Sequence, residues 1–383
     1  MALLASVLAC TVAASTPQDL SALLRLADTE KSADNAAFVS VLTQLSQQRQ
    51  QLNPEQAEML AYLQGWQSAY RSDYAAAMRQ LSLLADTART PTVRLRASVT
   101  LVNVLEIGRR YEDAYARMQN VLDMLGASTD PAAREQALGV ASETYANAGQ
   151  PELGLDLATR LLAEARDSHV ICKGHYHRQR ALYRAQRYQL FLDNLQAAID
   201  ACANANEPIY VNFIRTDAAR TYLATARAKE ATELLLANRN QAQATHYGEM
   251  ISEYDAVLAG AYAHQNDMMA ATKYAQAAVN ESIKGQITAG LAGAYYVLYT
   301  VAKQQGDDRA ALAAFEKYAA ADKGYLSDVS ARALAYQMVH QQVAQKKAEI
   351  ATLSQKNQVL KLQQDVAKQN MIVVRLGIAL LLV

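Results

Sequence analysis

Between residues 55 and 320, apolar positions recur at helical spacing and are interrupted only by short polar breaks. One signature repeats: a polar break, then an amphipathic helix with a small residue three positions in. It reads RSDYAAAMRQL, GRRYEDAYARM, AGQPELGLDLA, AQRYQLFLDNL, ARAKEATELLL, QNDMMAATKYA and QGDDRAALAAF. The residue after each break is Tyr74, Tyr111, Pro151, Tyr188, Ala228, Met268 or Asp308, at successive spacings of 37, 40, 37, 40, 40 and 40. Three positions on stand Ala77, Ala114, Gly154, Phe191, Ala231, Ala271 and Ala311, all small but Phe191, as the close crossing of two hairpin helices demands. Upstream of each break runs another amphipathic helix, with aromatics such as Tyr145, Tyr222 and Tyr262. The pattern predicts an all-α array of about seven helix hairpins.

This array resembles the tetratricopeptide repeat, with a small residue and a Tyr on the first helix, an Ala midway along the second and often a Pro at its end. Pro91, Pro131 and Pro208 fall after the second helix in three units. The period near 40, against 34 in the family, implies longer helices or loops. A HEAT-type stack would share the period but not the Gly306-Asp307 break.

Composition agrees with this reading. The 383 residues include only 15 Gly and 6 Pro, too few for the turns of an all-β fold. Lys+Arg and Asp+Glu balance at 37 each, which argues against a general nucleic-acid binder. The 21 Tyr against 4 Phe suit half-buried hairpin rings that keep a wet hydroxyl.

The ends carry different signals. Ala2 to Ala14 is apolar and closes on small residues, like the core of a secretory signal peptide, but no Lys or Arg precedes Arg25. Either the true start lies upstream or this is an N-terminal hydrophobic helix. If Cys10 leaves with that segment, Cys172 and Cys202 remain as an even pair; spacing does not establish a bridge, and buried free thiols are the expectation. Met371 to Val383 is nearly all apolar yet shorter than the ~20 residues a membrane span needs. It reads as a transmembrane helix cut short, with Arg375 near the interface. Residues 330 to 370 lack Gly and Pro and fit a heptad; Tyr336, Val343, Ile350, Leu353, Asn357 and Leu360 form a candidate homodimer seam. The expected domains are a signal-like segment 1–16, a solenoid 17–325, a coiled-coil helix 326–370 and a partial transmembrane helix 371–383.

Candidate chemistry is sparse. From Lys173 to Arg187 there are five basic residues and no acidic one. By analogy with the family, Lys173, Tyr176, Arg180, Tyr183 and Arg184, with Phe213 and Arg220 from the next unit, line a groove suited to a carboxylate or phosphate on a peptide, protein or small anion. The alternative is a solvated basic face answered by acids of neighbouring units. Cys172, His175 and His177 lack the spacing to converge on a metal from one helix. His246 and His264 read as packing or surface residues and Trp66 as core. No phosphate loop, HExxH helix or nucleophile elbow occurs, so the chain is expected to bind, without cofactor or catalysis.

Residues 300 to 365 resemble the last repeat and membrane-proximal helix of bacterial membrane sensors with a tetratricopeptide region. That resemblance implies a periplasmic sensor in the inner membrane of a Gram-negative bacterium. Its output would be a GGDEF diguanylate cyclase, or else a histidine kinase, controlled through dimer geometry. A free-standing exported scaffold and a cytoplasmic adaptor whose ends are ordinary helices are the other readings.

Overall fold

The computed structural model describes residues 19–282 and 288–381. Within them the chain forms seventeen α-helices and a 3-10 turn at Arg49–Gln51. The first hairpins are α1 (Leu20–Ala33) with α2 (Asn35–Gln47), α3 (Pro54–Tyr70) with α4 (Tyr74–Thr87), and α5 (Pro91–Ile107) with α6 (Tyr111–Ala127). Then come α7 (Pro131–Asn147) with α8 (Pro151–Glu164), and α9 (Ser168–Arg184) with a second helix broken at Asn194 into α10 (Tyr188–Asp193) and α11 (Leu195–Asn204). The last are α12 (Pro208–Ala224) with α13 (Ala228–Gln243), α14 (Gly248–His264) with α15 (Met268–Glu281), and α16 (Ala289–Gln304) with α17 (Asp308–Leu381).

The seven positions aligned from the sequence are the first residues of α4, α6, α8, α10, α13, α15 and α17. The small residues three positions in, together with Phe191, are buried. Gly154 shows why size matters there: an added Cβ would lie 2.6 Å from the Ser142 carbonyl oxygen of α7. Pro91, Pro131 and Pro208 open α5, α7 and α12, where a missing N–H costs nothing.

Each turn inside these seven hairpins has the same geometry. Ser72, Arg109, Gly149, Gln186, Ala226, Asn266 and Gly306 take positive φ two residues before the second helix. The next N–H then reaches back five residues, as from Arg110 to Leu105 at 2.8 Å and from Asp307 to Ala302 at 3.0 Å, closing a Schellman turn.

The first helix of each hairpin packs on the first helix of the next, from α1 through α16. These helices therefore form one inner wall, with the second helices outside. α5 is buried nearly all round, from Val93 to Leu105. A first hairpin, α1–α2, precedes the seven units recognisable in the sequence.

Cys172 of α9 and Cys202 of α11 are joined by a disulfide and have no exposure. This corrects the expectation of free thiols: α9 and the broken second helix cross closely enough to bring the two Cα atoms to 4.5 Å.

The last helix departs most from expectation. α17 is continuous for 74 residues, about 110 Å at 1.5 Å per residue. It begins as the partner of α16 and then docks on α6 and α7, five and four hairpins back along the chain. There Ala335 and Val339 join Tyr111, Tyr115 and Ala148 in a separate small core. Asp328 accepts a hydrogen bond from the Tyr111 hydroxyl and pairs with Arg332 at 2.8 Å and Arg109 at 3.4 Å.

Among the described residues, no helix is long and apolar enough to cross a membrane. The inner-membrane, periplasmic placement is corrected on that finding. The 1–16 segment lies outside the described residues, as do the side chain of Arg375 and residues 382–383.

Candidate binding groove

A cavity of about 430 Å³ opens on the inner wall, within the range of ordinary small-ligand sites. Six successive first helices line it: α1, α3, α5, α7, α9 and α12. Two charged clusters stand at its ends, with α7 between them.

At the first end, Asp28 of α1 receives both guanidinium nitrogens of Arg96, at 2.8 and 2.6 Å, and the Lys31 ammonium at 2.6 Å. Burial pushes the Asp28 carboxyl up, but the Arg96 hydrogen bonds and the two positive charges outweigh it and hold it at about 2. Arg96 also donates to Gln136 of α7 and stands 4.9 Å from the centre of the Tyr62 ring.

At the other end, the Lys173 ammonium donates to Glu135 at 2.8 Å, and Glu207 lies 3.0 Å from Nδ1 of His169. Burial works against the Lys173 charge, but Tyr210 and the carboxylates of Glu135 and Glu207 more than offset it and raise its pKa. Between the ends, His177 presses on Gly139, where an added Cβ would lie 2.7 Å from its Nε2. Burial pulls the His177 imidazole down to about 4, leaving it neutral near pH 7.

Of the groove residues expected from sequence, only Lys173 lines this cavity. Tyr176 is buried behind it, its ring centre 5.1 Å from that of Tyr210 and 5.9 Å from that of Phe213. Arg180 and Arg220 converge on the buried carboxylate of Asp217, at 3.2 and 3.0 Å, and Arg220 reaches Glu253 at 2.5 Å. The basic run is thus answered from several elements, Lys173 by Glu135 of α7, Arg180 by Asp217 of α12 and Arg187 by Glu152 of α8, which no local window shows. The Tyr183 ring lies 6.4 Å from that of Tyr188, tilted by 40°, and the Arg184 Nε is buried without an acceptor among the described residues.

Sequence reasoning missed Asp28, Lys31, Arg96, Glu135, Glu207 and Trp66, all of which line the cavity. Trp66, read as core, is half-buried against Phe38 and Tyr70. Only the phase of each first helix, projected onto a common inner wall, could have grouped them.

The expected seam residues divide. Tyr336 is wedged between Tyr115 and Tyr145, ring centres 5.8 Å apart in each case, and Val343 packs on the same small core. Ile350, Leu353 and Leu360 are exposed, at 66%, 51% and 55%, and Asn357 is exposed beside them.

Fold comparison identifies the class as a tetratricopeptide-like helical repeat. A Rap protein complexed with competence and sporulation factor superimposes with a TM-score of 0.60 at 9% identity, covering 88% of this chain and 99% of that one. NprR in complex with its cognate peptide NprX gives 0.55 at 12% identity, over 79% and 89%. The apo form of RapI gives 0.56 at 11%, over 85% and 98%. Identities this low show the fold alone. No protein-family description and no curated protein matches the chain.

Proposed function

We propose that this chain is a repeat sensor that binds a peptide in the cavity of its inner wall and has no chemistry of its own. The observation that carries the reading is the cavity itself: polar, half-enclosed, and built from six successive first helices. The likeness of the array to NprR in complex with its cognate peptide, and to a Rap protein complexed with competence and sporulation factor, supports it. α17 supplies a means of output, because one continuous helix joins the last hairpin, the α6–α7 docking site and a protruding arm. The resemblance of residues 300 to 365 to sensors of diguanylate cyclases or histidine kinases supports an output driven by pairing of two such arms.

Trp66 is the chain's single tryptophan and lines the cavity, so its emission reports occupancy directly. Titration with pooled random peptides of three to ten residues is expected to shift that emission and raise the melting temperature, because a ligand at a hundred times its Kd adds about 2.7 kcal/mol. If no pool changes either signal, the reading fails.

A further inference from the structure

The charges lining the cavity are not balanced end by end. At the α1–α5 end, one carboxylate of the lining, Asp28, faces two cations, Lys31 and Arg96; Asp130, outside the lining, also acts on Arg96, but less than Asp28 does. Asp28, Lys31 and Arg96 are only 6–20% exposed, so water does little to screen the excess. At the α9–α12 end, two carboxylates, Glu135 and Glu207, face the single ammonium of Lys173, so the acids outnumber the lysine. The remaining acid of the lining, Asp167, is occupied as the N-cap of α9, where its carboxylate accepts from the Val170 N–H at 3.0 Å.

α7 separates the two ends through adjacent side chains. Gln136 turns to Arg96 and Tyr62 on one side, and Glu135 to Lys173 on the other. A half-buried cavity with opposite excess charge at its ends has a fixed electrical direction. It favours an occupant carrying the reverse dipole and disfavours one with a single charge, which would gain at one end and lose at the other.

Resting on the peptide-binding reading, we propose that the cavity takes a short dipolar ligand in one orientation: an anionic group against Lys31 and Arg96, and a cationic group against Glu135 and Glu207. A peptide of a few residues with free ends has this chemistry in its terminal carboxylate and ammonium. An acidic and a basic side chain on a capped peptide have it too.

Trp66 emission, read against tripeptide and tetrapeptide pools in four forms, tests the proposal: free ends, N-acetylated, C-amidated and doubly capped. Removing either terminal charge is expected to weaken binding about tenfold or more, a loss of about 1.4 kcal/mol. Lys31→Met should make binding indifferent to C-amidation while keeping its sensitivity to N-acetylation. Glu207→Gln should do the reverse, and Glu135→Gln provides a second test at that end if Glu207→Gln folds poorly. Tight binding only by capped peptides that carry one Asp and one Lys supports the dipolar site and assigns the charges to side chains. Equal binding of all four forms, and of capped peptides without charged side chains, overturns the proposal and leaves the peptide-binding reading standing. Silence of every pool removes the peptide-binding reading itself.

Discussion

The two halves of α17 differ in composition and in what the fold does with them. From Asp308 to about Val343 the helix lies on α16 and then on α6 and α7. From Gln345 onward it stands clear, with Ile350, Leu353, Val359, Leu360 and Leu362 all more than half exposed. The docked stretch is rich in Ala, with ten in residues 308–343, and the bare one in Gln and Lys, with eleven in residues 345–381. What separates them in the fold is supplied by distant residues: Arg109, Tyr111, Tyr115 and Tyr145, which converge on one stretch and leave the other bare. A helix of this length is therefore held by a few anchoring contacts, and its behaviour should be set by them.

The sharpest way to break this contrast is Asp328→Ala. It leaves Arg332 and Arg109 without their shared carboxylate in a mostly buried site, and removing one partner of such a pair costs about 3–5 kcal/mol. Hydrogen exchange should quicken across residues 326–343 and stay unchanged across 345–370. Equal protection in the mutant and the parent would show that the docking does not depend on this cluster.

Tyr336→Ala should act in the same place with a smaller effect, about 2–3 kcal/mol, from the lost burial and two edge-to-face contacts. Denaturant unfolding followed by exchange at 326–343 would measure it.

Acidity should adjust the same contact. Glu106, at the end of α5, sits near Arg332, Glu143, Thr144 and Asp328. Burial, with the neighbouring acids adding and Arg332 opposing, lifts its carboxyl from 4.5 to about 7. A folded value above the unfolded one means that this stabilisation is complete below about pH 4.5 and disappears as pH rises through about 7. The full swing is up to about 3 kcal/mol. Glu106→Gln should flatten that dependence, and a parent protein whose docking is constant from pH 5 to 8 would remove Glu106 from the account.

The smallest effect belongs to the bare half. Leu353→Glu should change the stability of a single chain by less than about 0.5 kcal/mol, because it removes no packed contact. If two arms pair along the expected seam, the same change should shift sedimentation toward the lighter species at high concentration. A larger loss of stability in dilute solution would mean that the arm has an intramolecular partner.

Legibility in the sequence followed range. The seven starts of second helices were readable because each rests on a local turn and, in all but the Phe191 unit, a small residue three positions later. Five of those seven turns place Ser, Arg, Gln, Ala or Asn at positive φ, so the expected glycine was absent and spacing had to carry the signal. The α1–α2 hairpin was missed because its turn, at Asp34, is extended and lacks this geometry. The basic run of α9 was visible, but the acids that answer it, Glu135 and Asp217, come from α7 and α12. The cystine, the Arg96–Asp28 pair and the docking of α17 join residues 30, 68 and 217 apart. Local periodicity holds no information about such pairs; superhelical curvature sets them.

The continuity of α17 has a mechanical consequence. Asp328 lies 20 residues from the start of the helix and 53 from its end, roughly 30 Å and 80 Å. The helix is thus a lever with unequal arms pivoting on the Asp328 cluster. A tilt of a few degrees imposed by the last hairpin would sweep the far tip through several ångströms, a displacement nearly three times that at the driving end.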